Sequence, residues 1–100
     1  MAITIGTYNF EGPYQRVDPL RNESGVYVIL GQTAAGLHRV LDVGESAHVK
    51  DRVQYHDRRP QWAKCGLSQL TVAVLYVNER ERLLIEQTLR AQFNPECGIR

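Results

Sequence analysis

Residues 25–44, Gly25-Val26-Tyr27-Val28-Ile29-Leu30-Gly31-Gln32-Thr33-Ala34-Ala35-Gly36-Leu37-His38-Arg39-Val40-Leu41-Asp42-Val43-Gly44, carry the pattern that decides the fold. Every position from Val26 to Leu30 is apolar, and most are β-branched. A run this short with no polar face reads as a strand covered on both sides, hence as the middle of a sheet. Gly31–Gly36 is a turn of small residues, and Leu37–Val43 reads as the returning strand of a β-hairpin with a long loop. Centring that turn between Ala34 and Ala35 sets Tyr27 opposite Asp42, with both side chains on one face.

Downstream, Gly44 is expected to end the strand, and Ser46 to cap a helix running to about Arg58, before Pro60. On that helix His48, Arg52, His56 and Arg59 fall on one stripe, with Val49 and Val53 beside it for packing. Trp62 is expected to anchor the next turn. Thr71–Val77 is a further strand, and a last helix spans Glu79 to Phe93, stopped by Asn94-Pro95. Leu84, Ile85, Leu89 and Phe93 are expected to face the core. Glu86 lies about 60° around the helix from Leu89, at the margin of the apolar face. Upstream, Ile3 and Ile5 alternate with small or polar residues, so Ala2–Tyr8 reads as an edge strand, followed by turns at Glu11-Gly12-Pro13 and Asp18-Pro19. The fold class is therefore α+β. It has a small antiparallel sheet of three strands, extended by an N-terminal edge strand, with flanking helices in the order β-β-α-β-α.

One hundred residues with 43% hydrophobic content suffice for one small core, so positions 1–100 are expected to form one domain. A net charge of +1 gives no global attraction to nucleic acid, so any such attraction must be local. The sequence has no membrane-length apolar run, and its N-terminus lacks the basic start and apolar stretch of a secretory leader, so a cytoplasmic protein is expected. Cys65 and Cys97 stand far apart, with no Cys-x-x-Cys and no zinc-like histidine spacing, and nothing calls for a disulfide.

At Gly25-Val26-Tyr27, Asp42-Val43-Gly44, Arg52, His56, Glu86 and Pro95 the chain resembles the GIY-YIG nuclease family, over roughly residues 24 to 96. Gly25-Val26-Tyr27 is similar to the first motif, and Asp42-Val43-Gly44 stands in the place of the second. Arg52 follows Asp42 by ten positions, His56 lies four beyond it, and Glu86 precedes Pro95 by nine, spacings that resemble the family's. Two positions depart from its pattern. Asp42 replaces the second-motif tyrosine, and Gly98 stands where an asparagine is often found.

The resemblance implies that Glu86 binds a divalent metal, most simply Mg²⁺, which suits a site with one carboxylate. It also implies that Tyr27 orients or deprotonates the attacking water. A free phenol ionises near ~10, so action as a base at neutral pH needs nearby positive charge. Arg52 would grip the phosphate with its planar fork, and His56 would shuttle a proton or contact phosphate. Read without the family, each residue has an ordinary alternative. Glu86 can pair with Arg82 or Arg90 on its own helix. Tyr27 can be a core tyrosine, and Arg52 and His56 solvated helix residues. Asp42 can accept a proton, orient water or add a metal ligand, with Glu45 joining it, or it can pair with Arg52 or Arg39. Trp62 is a core anchor or a platform for base stacking.

Two functions remain open. One is a metal-dependent endonuclease module acting on DNA, with Tyr27, Arg52, His56 and Asp42 as catalytic residues, Glu86 as metal ligand, and His48, Lys50, Arg58 and Arg59 contacting nucleic acid. The other is a catalytically inactive module of the same fold that binds nucleic acid or a protein partner. So small a domain has little surface for reading bases, which makes a homodimer or a partner subunit a natural source of specificity.

Overall fold

The computed structural model describes residues 2–33, 35–56, 59–64 and 69–95. Cys65, Cys97, Gly98 and Arg58 lie outside the described residues. Five strands, β1 (Ala2–Ile5), β2 (Tyr8–Tyr14), β3 (Gly25–Gln32), β4 (His38–Ser46) and β5 (Leu70–Tyr76), join three helices, α1 (Val49–Gln54), α2 (Arg59–Lys64) and α3 (Glu79–Phe93). The strands form one sheet in the order β1-β2-β5-β3-β4, and every neighbouring pair is antiparallel. This is the expected α+β architecture, enlarged by one strand.

β3 is central, paired with β4 on one side and β5 on the other, and all of its residues but the last are buried. Alternation divides its side chains between two cores. Tyr27 and Ile29 pack with Val49, Val53 and Trp62 of α1 and α2, whereas Val26, Val28 and Leu30 pack with Ile85 and Leu89 of α3. The sheet is thus sandwiched between α1 and α2 on one face and α3 on the other.

Several expectations are corrected. Glu11-Gly12-Pro13 does not end a strand. The segment lies inside β2, where the register shifts between Glu11 and Tyr14 and Gly12 takes φ +104°, so it forms a bulge rather than a turn. A second bulge lies in β4. Ile29 pairs with Asp42, but Leu30 pairs with Val40, leaving Leu41 as the extra residue. Val40 and Val43, an odd number of positions apart, consequently pack against the same core. With that bulge and a shifted turn, Tyr27 pairs with Gly44 rather than Asp42. The strand also continues through Gly44 to Ser46.

The single helix expected to run to about Arg58 is shorter and interrupted. α1 ends at Gln54, and α2 begins at Arg59. His48 occupies the N-cap position, and its backbone N–H donates to Ser46 Oγ at 2.9 Å. α3 has the expected bounds. Asn78 Oδ1 accepts from Glu81 N at its start, and Asn94 closes it in the left-handed region at φ 47°. Its inward stripe is Ile85, Glu86 and Leu89, while Leu84 and Phe93 are exposed, because the face turned to the sheet is centred on the 85/89 pair. Among the described residues no helix is long and apolar enough to cross a membrane.

Candidate active site

A cleft of about 360 Å³ opens where residues from both layers meet at the β4 edge of the sheet. It is lined by Tyr27 of β3, Gly44 and Glu45 of β4, Arg52 of α1, and Leu83, Glu86 and Gln87 of α3. A phenol, a guanidinium and a carboxylate from three separate elements therefore share one space. The helices that carry Arg52 and Glu86 pack on opposite faces of the sheet, so the cleft must straddle its edge strand.

Gly44 is what lets Tyr27 reach it. A Cβ at this position would collide with the Cζ and Oη atoms of Tyr27 and come within 2.7 Å of Cε2. The ring therefore lies across the backbone of Gly44, its hydroxyl end at the edge strand. Behind it stands His56, buried, with its ring edge-on to Tyr27 at 5.7 Å and tilted against Trp62 at 4.7 Å. His56 leaves the expected basic stripe because α1 stops two residues before it, and the chain then turns the imidazole inward. It is not among the residues that line the cleft.

Asp42 is also outside that lining. It is fully buried at 0% exposure, held from both sides of the sheet. Trp62 Nε1 donates to Oδ2 at 2.8 Å, and Arg90 Nη2 reaches Oδ1 at 3.0 Å. Arg90 is a partner that the sequence had not offered for Asp42. An isolated buried carboxylate is strongly disfavoured, and removing one partner of a buried pair typically costs about 3–5 kcal/mol. Those contacts hold both carboxylate oxygens of Asp42 in the interior, where a catalytic or metal-ligand role had been expected of it.

Arg90 also meets Glu86, Nε to Oε2 at 3.3 Å, one helical turn along α3. Glu86 is buried to 6% exposure, yet it lines the cleft, as a margin position allows. Arg82 turns instead to Glu45 at 3.3 Å and donates to Ser24 Oγ at 2.9 Å. Glu45, considered from sequence only as a companion of Asp42, lines the cleft itself, and Leu83 and Gln87 were not anticipated there. The signal that finds them is the continuation of β4 past Gly44 together with the i−3 and i+1 neighbours of Glu86.

The other basic residues are more scattered. His48 is exposed at the start of α1, and Lys50 is half-buried. Arg59 Nη1 donates to the carbonyls of Val53 and Gln54 at 3.0 and 3.4 Å, closing the end of α1. None of His48, Lys50 and Arg59 lines the cleft, and Arg52 is the cation that does so among the described residues.

Among the described residues no three His, Cys, Asp or Glu side chains gather in a metal-holding group. The acidic groups on the cleft are Glu86 and Glu45, and its other oxygens include the Tyr27 phenol and the Gln87 amide; its described lining contains no thiol or imidazole. A hard-oxygen set with few carboxylates beside open volume fits magnesium, which keeps several waters and takes further ligands from substrate.

The GIY-YIG N-terminal endonuclease domain of UvrC from Thermotoga maritima, bound to its catalytic magnesium, matches the structure with a TM-score of 0.60 at 18% identity, over 83% of this chain and 91% of that chain. A variant of that domain with an asparagine changed to alanine, bound to its catalytic divalent cation, matches with a TM-score of 0.61 at 18% identity, over 84% and 91% of the two chains. A tyrosine-to-phenylalanine variant gives 0.60 at 17% identity over 84% and 91%. No protein-family model and no curated protein sequence matches the chain. The sheet order, the helices on its two faces and these superpositions together establish that this chain has the GIY-YIG endonuclease fold.

Proposed function

We propose that the chain is a metal-dependent endonuclease module that hydrolyses phosphodiester bonds in DNA. The observation that carries this reading is the convergence of Tyr27, Arg52 and Glu86 on one cleft. The likeness in fold to an endonuclease domain that binds magnesium supports it.

In this reading the phosphate enters beside Arg52, whose guanidinium binds its oxygens and stabilises the charge that builds on them during attack. The Tyr27 oxygen orients a water against the phosphorus and, in its ionised form, accepts that water's proton, directly or through a second water. The water oxygen bonds to phosphorus as the bond to the departing sugar oxygen breaks, and that oxygen takes a proton from solvent water, leaving a phosphomonoester and a free hydroxyl. Glu86, with Glu45 nearby, holds the divalent cation. When bound, that cation polarises the phosphoryl group and eases departure of the leaving oxygen as a Lewis acid. His56 supports the Tyr27 ring from behind, and Asp42 is not part of the chemistry.

The test is nicking of supercoiled plasmid by purified protein with Mg²⁺ and with chelator. Glu86→Ala and Arg52→Ala are expected to lower the rate by about 10²–10³, the scale for losing a group that stabilises transition-state charge. Equal nicking by parent and both variants would mean that the activity arises elsewhere. A parent inactive on every nucleic acid offered would favour a second reading, a non-catalytic module that binds nucleic acid or a protein. The observation behind that alternative is the buried, ion-paired Asp42 at the position of the second-motif tyrosine, which leaves Tyr27 as the sole phenol in the cleft lining among the described residues.

A further inference from the structure

Arg90 stands directly behind the cleft and touches both Glu86, at 3.3 Å, and Asp42, at 3.0 Å. It is largely buried, with 17% of its side chain exposed, as is Glu86 at 8%, so water screens their attraction poorly. A cation this close competes directly with a metal ion for the Glu86 carboxylate. Asp42 stands on the far side of that cation, fully buried and fixed by Trp62. The three charges, acid–base–acid, sum to one net negative charge beside the cleft.

We infer that Asp42 and Arg90 are positioning residues for the metal ligand. Asp42 is the counter-ion that draws the Arg90 charge away from Glu86, and so sets how tightly Glu86 holds a divalent cation. This rests on the reading of Glu86 as that ligand. It also explains how an aspartate can occupy the second-motif tyrosine position without entering the cleft. There the carboxylate acts at one remove, through Arg90. The substitution Asp42→Asn keeps an oxygen to accept from Trp62 Nε1 but removes the counter-charge. The Arg90 charge then bears more strongly on Glu86, and the three-residue group becomes neutral. The double variant Asp42→Asn/Arg90→Met removes both the buried acid and its cation, so the net negative charge of the group returns. Affinity for the cation should follow that charge: high, low, high.

The experiment is calorimetric titration of Mg²⁺ into the full chain, without nucleic acid, with thermal unfolding of each variant recorded alongside. Asp42→Asn is expected to weaken Mg²⁺ binding about tenfold, the scale on which groups behind a metal ligand act. The double variant is expected to recover most of that loss. A role in packing alone would lower the unfolding temperature of Asp42→Asn without changing its affinity for Mg²⁺, and that result would overturn the inference while leaving the proposed function standing. Should Asp42→Asn fail to fold, Arg90→Met is titrated beside the double variant. Tighter Mg²⁺ binding by Arg90→Met than by the double variant supports the inference, and equal binding by the two overturns it. A parent chain that binds no Mg²⁺ would remove the proposed function itself, and the inference with it.

Discussion

Gly44→Ala is a single-methyl test of how the cleft is built. Gly44 is absent from the residues with positive φ, so an alanine can adopt its backbone conformation. In such a position the smaller freedom of alanine in the unfolded chain would by itself stabilise the protein by about 0.4–1 kcal/mol. Against this, the added Cβ would meet the Cζ and Oη atoms of Tyr27 and approach Cε2 to 2.7 Å, closer than the 3.0 Å below which something must shift. Tyr27 cannot simply withdraw. It is 1% exposed, with the His56 ring at 5.7 Å behind it. Overpacking of this kind costs about 1–3 kcal/mol, so the collision outweighs the backbone gain and the variant is expected to be less stable by about 1–2 kcal/mol. Urea unfolding followed by circular dichroism measures it. The cause is isolated by repeating the substitution in a Tyr27→Leu background, which lacks Cε2, Cζ and Oη. There the cost of Gly44→Ala should vanish or change sign, giving a coupling energy between positions 27 and 44. If Gly44→Ala costs the same in both backgrounds, the ring does not lie over that glycine in solution, and the path of Tyr27 into the cleft is wrong.

Two further outcomes are expected. Trp62→Phe removes the indole N–H that donates to Asp42 at 2.8 Å, and should destabilise the chain by about 1–3 kcal/mol, because it takes a donor away from a buried carboxylate. An unchanged urea midpoint would deny that hydrogen bond a stabilising role. Arg59→Ala and Arg52→Ala should separate cleanly. The first removes the bonds to the Val53 and Gln54 carbonyls and about 0.5–1.5 kcal/mol of stability, with DNA affinity little changed. The second should weaken DNA binding and reduce its salt slope by about one, as expected when one cation no longer neutralises a phosphate. Filter binding across a salt series, read beside urea unfolding, would expose the opposite pattern.

The parts of the molecule legible in its sequence are those with strong local signals. The unbroken apolar run Val26–Leu30 could only be a covered strand, and it lies at the centre of the sheet. The Ile85–Leu89 spacing and the Asn94-Pro95 stop delimit α3 because both act within one or two turns of helix. The motif spacings brought Tyr27, Arg52 and Glu86 into view as a set, and the three do line one cleft. β2 was hidden because Gly12-Pro13 signals a turn locally, whereas pairing of Glu11 and Tyr14 with β5 absorbs the two residues as a bulge. The break after Gln54 was hidden because the local pattern sets His56 on a helical stripe, whereas in the fold its ring lies against those of Tyr27 and Trp62.

Periodicity and turn chemistry thus determined from sequence alone the strands β3, β4 and β5 and the helix α3, and which residues were candidates for chemistry. Tertiary packing decided the rest. The extra residue at Leu41 moves the Tyr27 pairing to Gly44. Asp42 meets Arg90, 48 positions away along the chain. Glu45 entered the cleft because β4 runs on past Gly44. The physical reason is that register and ion-pair partner depend on where remote side chains come to rest. A buried charge takes the partner that the assembled core brings within reach, and no spacing along the chain encodes that distance.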